Sequence, residues 1–157
     1  MPKLEYNGLE EFGAILSDME PQTEAVLKMA VYDGAHQVFE ELKRQIQNLP
    51  TSDSKKGGKR DITEQQKQGL LSGMYGSTIQ TKDGAVYTFI GFTGYNSVRT
   101  KKHPKGQPNI LIARSVESGG TYMNKRPFVS KTVNAARAKA LAATKSTFEQ
   151  QMEKITK

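Results

Sequence analysis

Between Pro21 and Pro50 the apolar residues Val31, Ala35, Val38, Phe39, Leu42 and Ile46 are spaced 4, 3, 1, 3 and 4 positions apart, with Glu40, Glu41, Lys43 and Arg44 off that stripe. This is the period of one helix face. Pro21 suits a first helical position, where a missing N–H is no loss. Asn48-Leu49-Pro50 ends the run, because the residue before a proline is driven out of the helical region. The spacing therefore predicts one helix of roughly 40 Å, and the rest of the chain must cover its stripe. Gly34 within it costs about 1 kcal/mol relative to alanine, which points to close packing or a bend there.

The remaining elements are arranged around that helix. Upstream, Asn7 and Glu10 stand at capping-box spacing before Leu9, Phe12, Ile15, Leu16 and Met19, which form one stripe of a short helix. Residues 50–61 and 97–108 are polar, basic and rich in Gly, Pro and Ser, so both are expected to project as loops. A short helix is predicted from Thr63 to about Met74. Tyr75–Thr81 and Ala85–Phe92 flank Lys82-Asp83-Gly84, a hairpin signal. Asn109 is expected to cap a short helix carrying Ile110, Ala113 and Val116, stopped by Gly119-Gly120. A last helix is predicted from about Val129 to Ile155. The sum is an α+β fold: long amphipathic helices on a small antiparallel hairpin or sheet, in a single domain over residues 1–157.

Chemistry is sparse along this chain. It contains no cysteine, which removes disulfides, thiol nucleophiles and zinc–cysteine sites. Gly57-Gly58-Lys59 lacks the spacing of a phosphate-binding loop, and no Gly-x-Ser-x-Gly elbow is present. His36 and His103 stand far apart in sequence and are not expected to form a metal site. No catalytic residue, metal or cofactor is expected, and no apolar run approaches a membrane span or a secretory leader.

Charge is the distinctive feature. The net +7 divides unevenly: residues 1–50 carry four Lys/Arg against nine Asp/Glu, residues 51–106 ten against four, and residues 107–157 nine against three. Lys55, Lys56, Lys59 and Arg60 form one basic cluster; Arg99, Lys101, Lys102 and Lys105 form another. Glu20, Glu24, Glu40 and Glu41 are expected to give an acidic face. Such polarity suits contact between copies of the chain, or DNA bound at its phosphates through the basic loops. Only Tyr95 stands near a cluster, so aromatic interleaving is thin.

The C-terminal third, "NILIARSVESGGTYMNKRPFVSKTVNAARAKALAATKSTFEQQMEK", carries a recognisable order. A short apolar helix (Ile110–Val116) is followed by Glu117-x-Gly119, a small loop, Arg126-Pro127-Phe128-Val129 and a long Ala/Lys/Glu-rich helix. In this it resembles the phage head–tail joining family, the neck or tail-completion proteins of long-tailed phages and related prophages. Ser118 stands where that family usually has an aromatic residue, and the family's hairpin entry survives loosely in "QGLLSGMYGSTI". The resemblance implies a structural virion protein, not an enzyme. It would be one subunit of a ring, hexameric by expectation, at the head–tail junction or tail end. Its partners would be copies of itself, neighbouring head-closure and tail-tube proteins, and double-stranded DNA passing through the ring. Assembly would take place in the bacterial host cytoplasm, with no membrane involved. Within the element, Pro127 and Phe128 are expected to serve packing, and Arg126 to point outward to a neighbour.

Overall fold

The structure is a computed structural model that describes residues 21–52 and 58–156. The short helix expected over Asn7–Met19 lies outside the described residues, as do Glu20, Lys55 and Lys56. Four helices and four short strands are present in the described residues, an α+β fold as the sequence predicts. In chain order they are α1 (Pro21–Gln47), α2 (Glu64–Gly73), β1 (Met74–Gly76), β2 (Gln80–Lys82), β3 (Ala85–Tyr87), β4 (Ile90–Phe92), α3 (Asn109–Ser118) and α4 (Phe128–Thr156). No helix among the described residues is long and apolar enough to cross a membrane. The chain divides into two compact units, and each long helix contributes a segment to both.

The first unit contains α1 up to Glu40, the chain from Gly76 to Ile90, and α4 from Ala135. Its hairpin pairs Gln80 with Tyr87, Thr81 with Val86 and Lys82 with Ala85. Asp83 and Gly84 make the turn, with φ of 52° and 77°. Two consecutive positive φ values match the right-handed twist of the strands, and Asp-Gly tolerates them. Leu27 and Val31 of α1 bury against Val86, with Ile79 and Phe148 packed alongside. Val38 meets Ala136 and Ala140 of α4, with Ile90 beside them. The small residues let the two helices approach closely: a side chain on Gly34 would overlap the Thr144 hydroxyl, and the Ala140 carbonyl would lie 3.1 Å from its Cβ. Gly34 is thus a packing site in this helix, as its cost implied.

The second unit contains the end of α1, α2, the chain from Gly91, α3 and the start of α4. Thr63 caps α2 through a capping box: its hydroxyl accepts from the Gln66 N–H, and the Gln66 side chain accepts from the Thr63 N–H. Lys67 reaches back to the Leu49 carbonyl at 3.0 Å, closing the chain after α1 onto α2. Asn109 departs from expectation. It is the first residue of α3 after an N-cap at Pro108, and it makes no cap. Instead it is fully buried and donates to the Thr93 carbonyl at 2.9 Å, tying α3 to the strand layer. An Asn before an apolar stripe reads as a cap locally, but Pro108 already holds the extended cap conformation.

Candidate interaction surface

The segment from Asn109 to Ser130 is built from two helix ends that satisfy each other. α3 ends at Gly119, whose φ is 74°. The Arg126 N–H then donates to the Val116 carbonyl at 2.7 Å, supplying a partner for the end of α3. In return, the Glu117 carboxylate accepts the Val129 N–H at 2.7 Å and the Ser130 N–H at 3.2 Å, the exposed donors at the start of α4. A carboxylate there also meets the positive end of the helix dipole. Phe128, the first residue of α4, is only 1% exposed and packs edge-on to Phe92, with ring centroids 6.1 Å apart. Phe128 is therefore a packing residue, as expected. Replacing Glu117 by alanine should lower stability by about 1–2 kcal/mol, read by chemical denaturation, because two helix-start N–H groups lose their acceptor. An unchanged midpoint would mean water serves them equally well.

Arg126 has a partner within the chain. Its guanidinium, half-exposed, pairs with Asp61 at 3.0 and 3.3 Å, while Asn124 donates to the same carboxylate at 3.2 Å. The Arg126 hydrogen bonds, helped by Asn124, hold the Asp61 carboxyl below its ordinary pKa, and Asp61 in turn raises that of Arg126. A depressed carboxylate stabilises the fold fully above its unfolded pKa, near 3.9, and that contribution disappears as pH falls through the lower folded value. Asp61→Asn should therefore lower the melting temperature at pH 7, with the difference from the parent chain shrinking as pH falls below about 4. A difference that persists unchanged into acid would rule out the ion pair as its cause.

The described ends of the first basic segment are held by backbone bonds. Thr51 and Ile62 form a parallel bridge that brings its two ends together. Arg60 bridges Met123, donating to the Tyr122 carbonyl at 3.0 Å and accepting from the Asn124 N–H at 2.9 Å. This sets the Arg60 backbone against that of Tyr122 to Asn124. The sequence reading missed Tyr122, because a pairing across some sixty residues leaves no local signal. Its ring is 74% exposed.

The second basic segment is also closed. Asn96 is buried, and its side-chain oxygen accepts from the Val98 N–H at 2.9 Å and the Gln107 N–H at 3.1 Å. Thr100 and His103 exchange backbone hydrogen bonds, and the Gly106 N–H donates to the His103 carbonyl. Gln107 accepts from the Gln66 side chain at 2.9 Å, which ties this loop to the first turn of α2, the helix that Arg60 and Asp61 lead into. Arg99, Lys101, Lys102 and Lys105 are all exposed, and Tyr95 at the loop's foot is 64% exposed.

The expected acidic face does not form as one patch. At 100° per residue, Glu24 and Glu40 lie about 160° apart around α1. Glu24 is engaged by Lys28 at 3.0 Å and by the Thr81 hydroxyl at 2.9 Å, which keep its pKa low, while Glu41 binds Arg44 and Gln45. Charge follows the units more sharply than it follows thirds of the chain. Among the described residues the first unit holds six Lys/Arg and six Asp/Glu, and the second holds thirteen against four.

The first unit also bears a half-open groove of about 310 Å³, walled by Tyr32, His36 and Phe39 of α1 and by Ser77, Ile79 and Ile90. Ser77 is committed to the sheet, accepting from the Phe89 N–H at 2.9 Å and bonding the Thr88 hydroxyl. No group of three metal-binding side chains occurs among the described residues. Compared with known protein families, characterised proteins and solved structures, the chain matches none.

Proposed function

We propose that this chain is a structural virion protein, one subunit of a ring at the head–tail junction or tail end of a long-tailed phage. The observation that carries this reading is the interlock between α3 and α4. Glu117, Gly119, Pro127 and Phe128, the residues on which the resemblance rests, each have a structural task in one joint. Their spacing thus serves the folding of the element, which supports the reading. A closed ring of identical subunits needs two chemically different surfaces on each copy. By sequence the first unit is net acidic and the second strongly basic; two such regions in one chain suit such surfaces, and the basic one also suits a channel that passes DNA.

Interrupting the gene tests the proposal. Electron micrographs of the lysate should show filled heads and finished tails lying apart, and joined particles should return when the chain is supplied from a plasmid. Normal joined particles without the gene would contradict it.

A further inference from the structure

We propose that the second unit binds single-stranded nucleic acid, with Tyr95 and Tyr122 as stacking platforms and the unpaired cations around them as phosphate contacts. This goes beyond the ring reading and stands whether or not the chain assembles into one.

The argument begins with what the fold does with its positive charge. Arg44 and Arg126 are paired with Glu41 and Asp61. Lys59, Arg60, Arg99, Lys101, Lys102, Lys105 and Lys125 form no ion pair among the described residues. They are nevertheless held in place, because the backbone beneath them is fixed by the Arg60–Tyr122 pairing and by the Asn96 clamp. Fixing four like charges within seven residues of one closed loop works against their repulsion, and a polyanion relieves it. An entirely mobile loop would not need that clamp.

The rings decide which polyanion. Each basic segment has one tyrosine beside it, fixed by backbone bonding and turned to solvent: Tyr122 next to Arg60, and Tyr95, which bridges Pro108, at the foot of the second loop. In a duplex the base faces are already stacked on one another. An unpaired base offers its face to an exposed ring, and stacking of that kind tolerates any sequence. A single strand can engage the cations through its phosphates and the rings through its bases.

Fluorescence anisotropy of the full chain with a labelled single-stranded DNA of mixed sequence, and with its duplex, tests this. The single strand is expected to bind more tightly. Tyr95→Ala and Tyr122→Ala should each weaken single-strand binding at least about fivefold and leave duplex binding as it was. Tyr122→Phe, which keeps the ring, should bind like the parent. Lys101→Glu combined with Lys102→Glu should weaken both ligands. For about five phosphate contacts, raising salt from about 50 to about 200 mM should cost roughly a hundredfold. The tyrosines are exposed, so unchanged melting temperatures are expected throughout. The inference is overturned if duplex binds as well as single strand with the alanine variants silent, if polyglutamate competes as effectively as the oligonucleotide, or if nothing binds at about 50 mM salt.

Discussion

Replacing Phe128 by alanine is expected to destabilise the chain by about 3–5 kcal/mol, the range for truncating a fully buried phenylalanine. Phe128 joins three constraints at one point. It begins α4, it follows Pro127 and so has little freedom of entry, and its ring stands edge-on to Phe92 of β4. Aromatic pairs in that arrangement add about 0.5–1.5 kcal/mol beyond the area they bury. Removing the ring leaves a cavity between a helix start and a strand, both held by hydrogen bonds that resist collapse into the space. Chemical denaturation of Phe128→Ala against the parent measures the loss. A value below about 1 kcal/mol would mean the site closes around the smaller residue, and the joint would not depend on this anchor.

The second large effect is expected at Gly34, where the usual helix rule should reverse. Alanine in a helix interior is favoured over glycine by about 1 kcal/mol, yet Gly34→Ala should lower stability by about 1–3 kcal/mol. The added methyl would overlap the Thr144 hydroxyl and press on the Ala140 carbonyl. Thr144 cannot swing away cheaply, since it is buried and its hydroxyl donates to that same carbonyl at 2.8 Å. Removing the hydroxyl and its branch should make room, so Thr144→Ala introduced with Gly34→Ala should recover most of the loss. A double-mutant cycle reads the coupling directly. Additive effects would show that α1 and α4 do not meet at Gly34 as described.

Much of this architecture could be read from the chain because its signals are local. The α1 stripe, the Asp83-Gly84 turn and the Thr63 start of α2 depend on residues within a few positions of one another, and the structure places each of them there. Gly34 was legible for the same reason: a costly residue in a strong helix has a packing partner. Errors arose where a distant residue altered the meaning of a local pattern. Asn109 resembles a cap until its side chain is found buried against Thr93. The Asp61 partner of Arg126 likewise left no local signal. The acidic residues of α1 looked like one face because they were counted in sequence and not around the helix.

The candidate surface was half legible for related reasons. Both basic clusters were visible as runs, but the backbone bonds at Arg60 and the Asn96 clamp were not. Polar loops with few apolar groups read as projecting, whereas here bridging backbone bonds hold the chain from Arg60 to Ile62, and the Asn96 side chain closes residues 97–107. Tyr122 joined the first cluster only through tertiary pairing. The role of Glu117 was likewise hidden: the resemblance marked the residue, and only the folded joint explains it as the cap of α4.

A ring subunit proposed to sit where head meets tail has one place in a particle, and that place can be seen. Particles released from cells carrying the gene should be labelled with a gold-conjugated antibody against this chain and viewed by electron microscopy. The account predicts gold at one position on each particle, at the head–tail junction or at the tail end. Particles without gold at either position, with the chain recovered only as free protein, would contradict it.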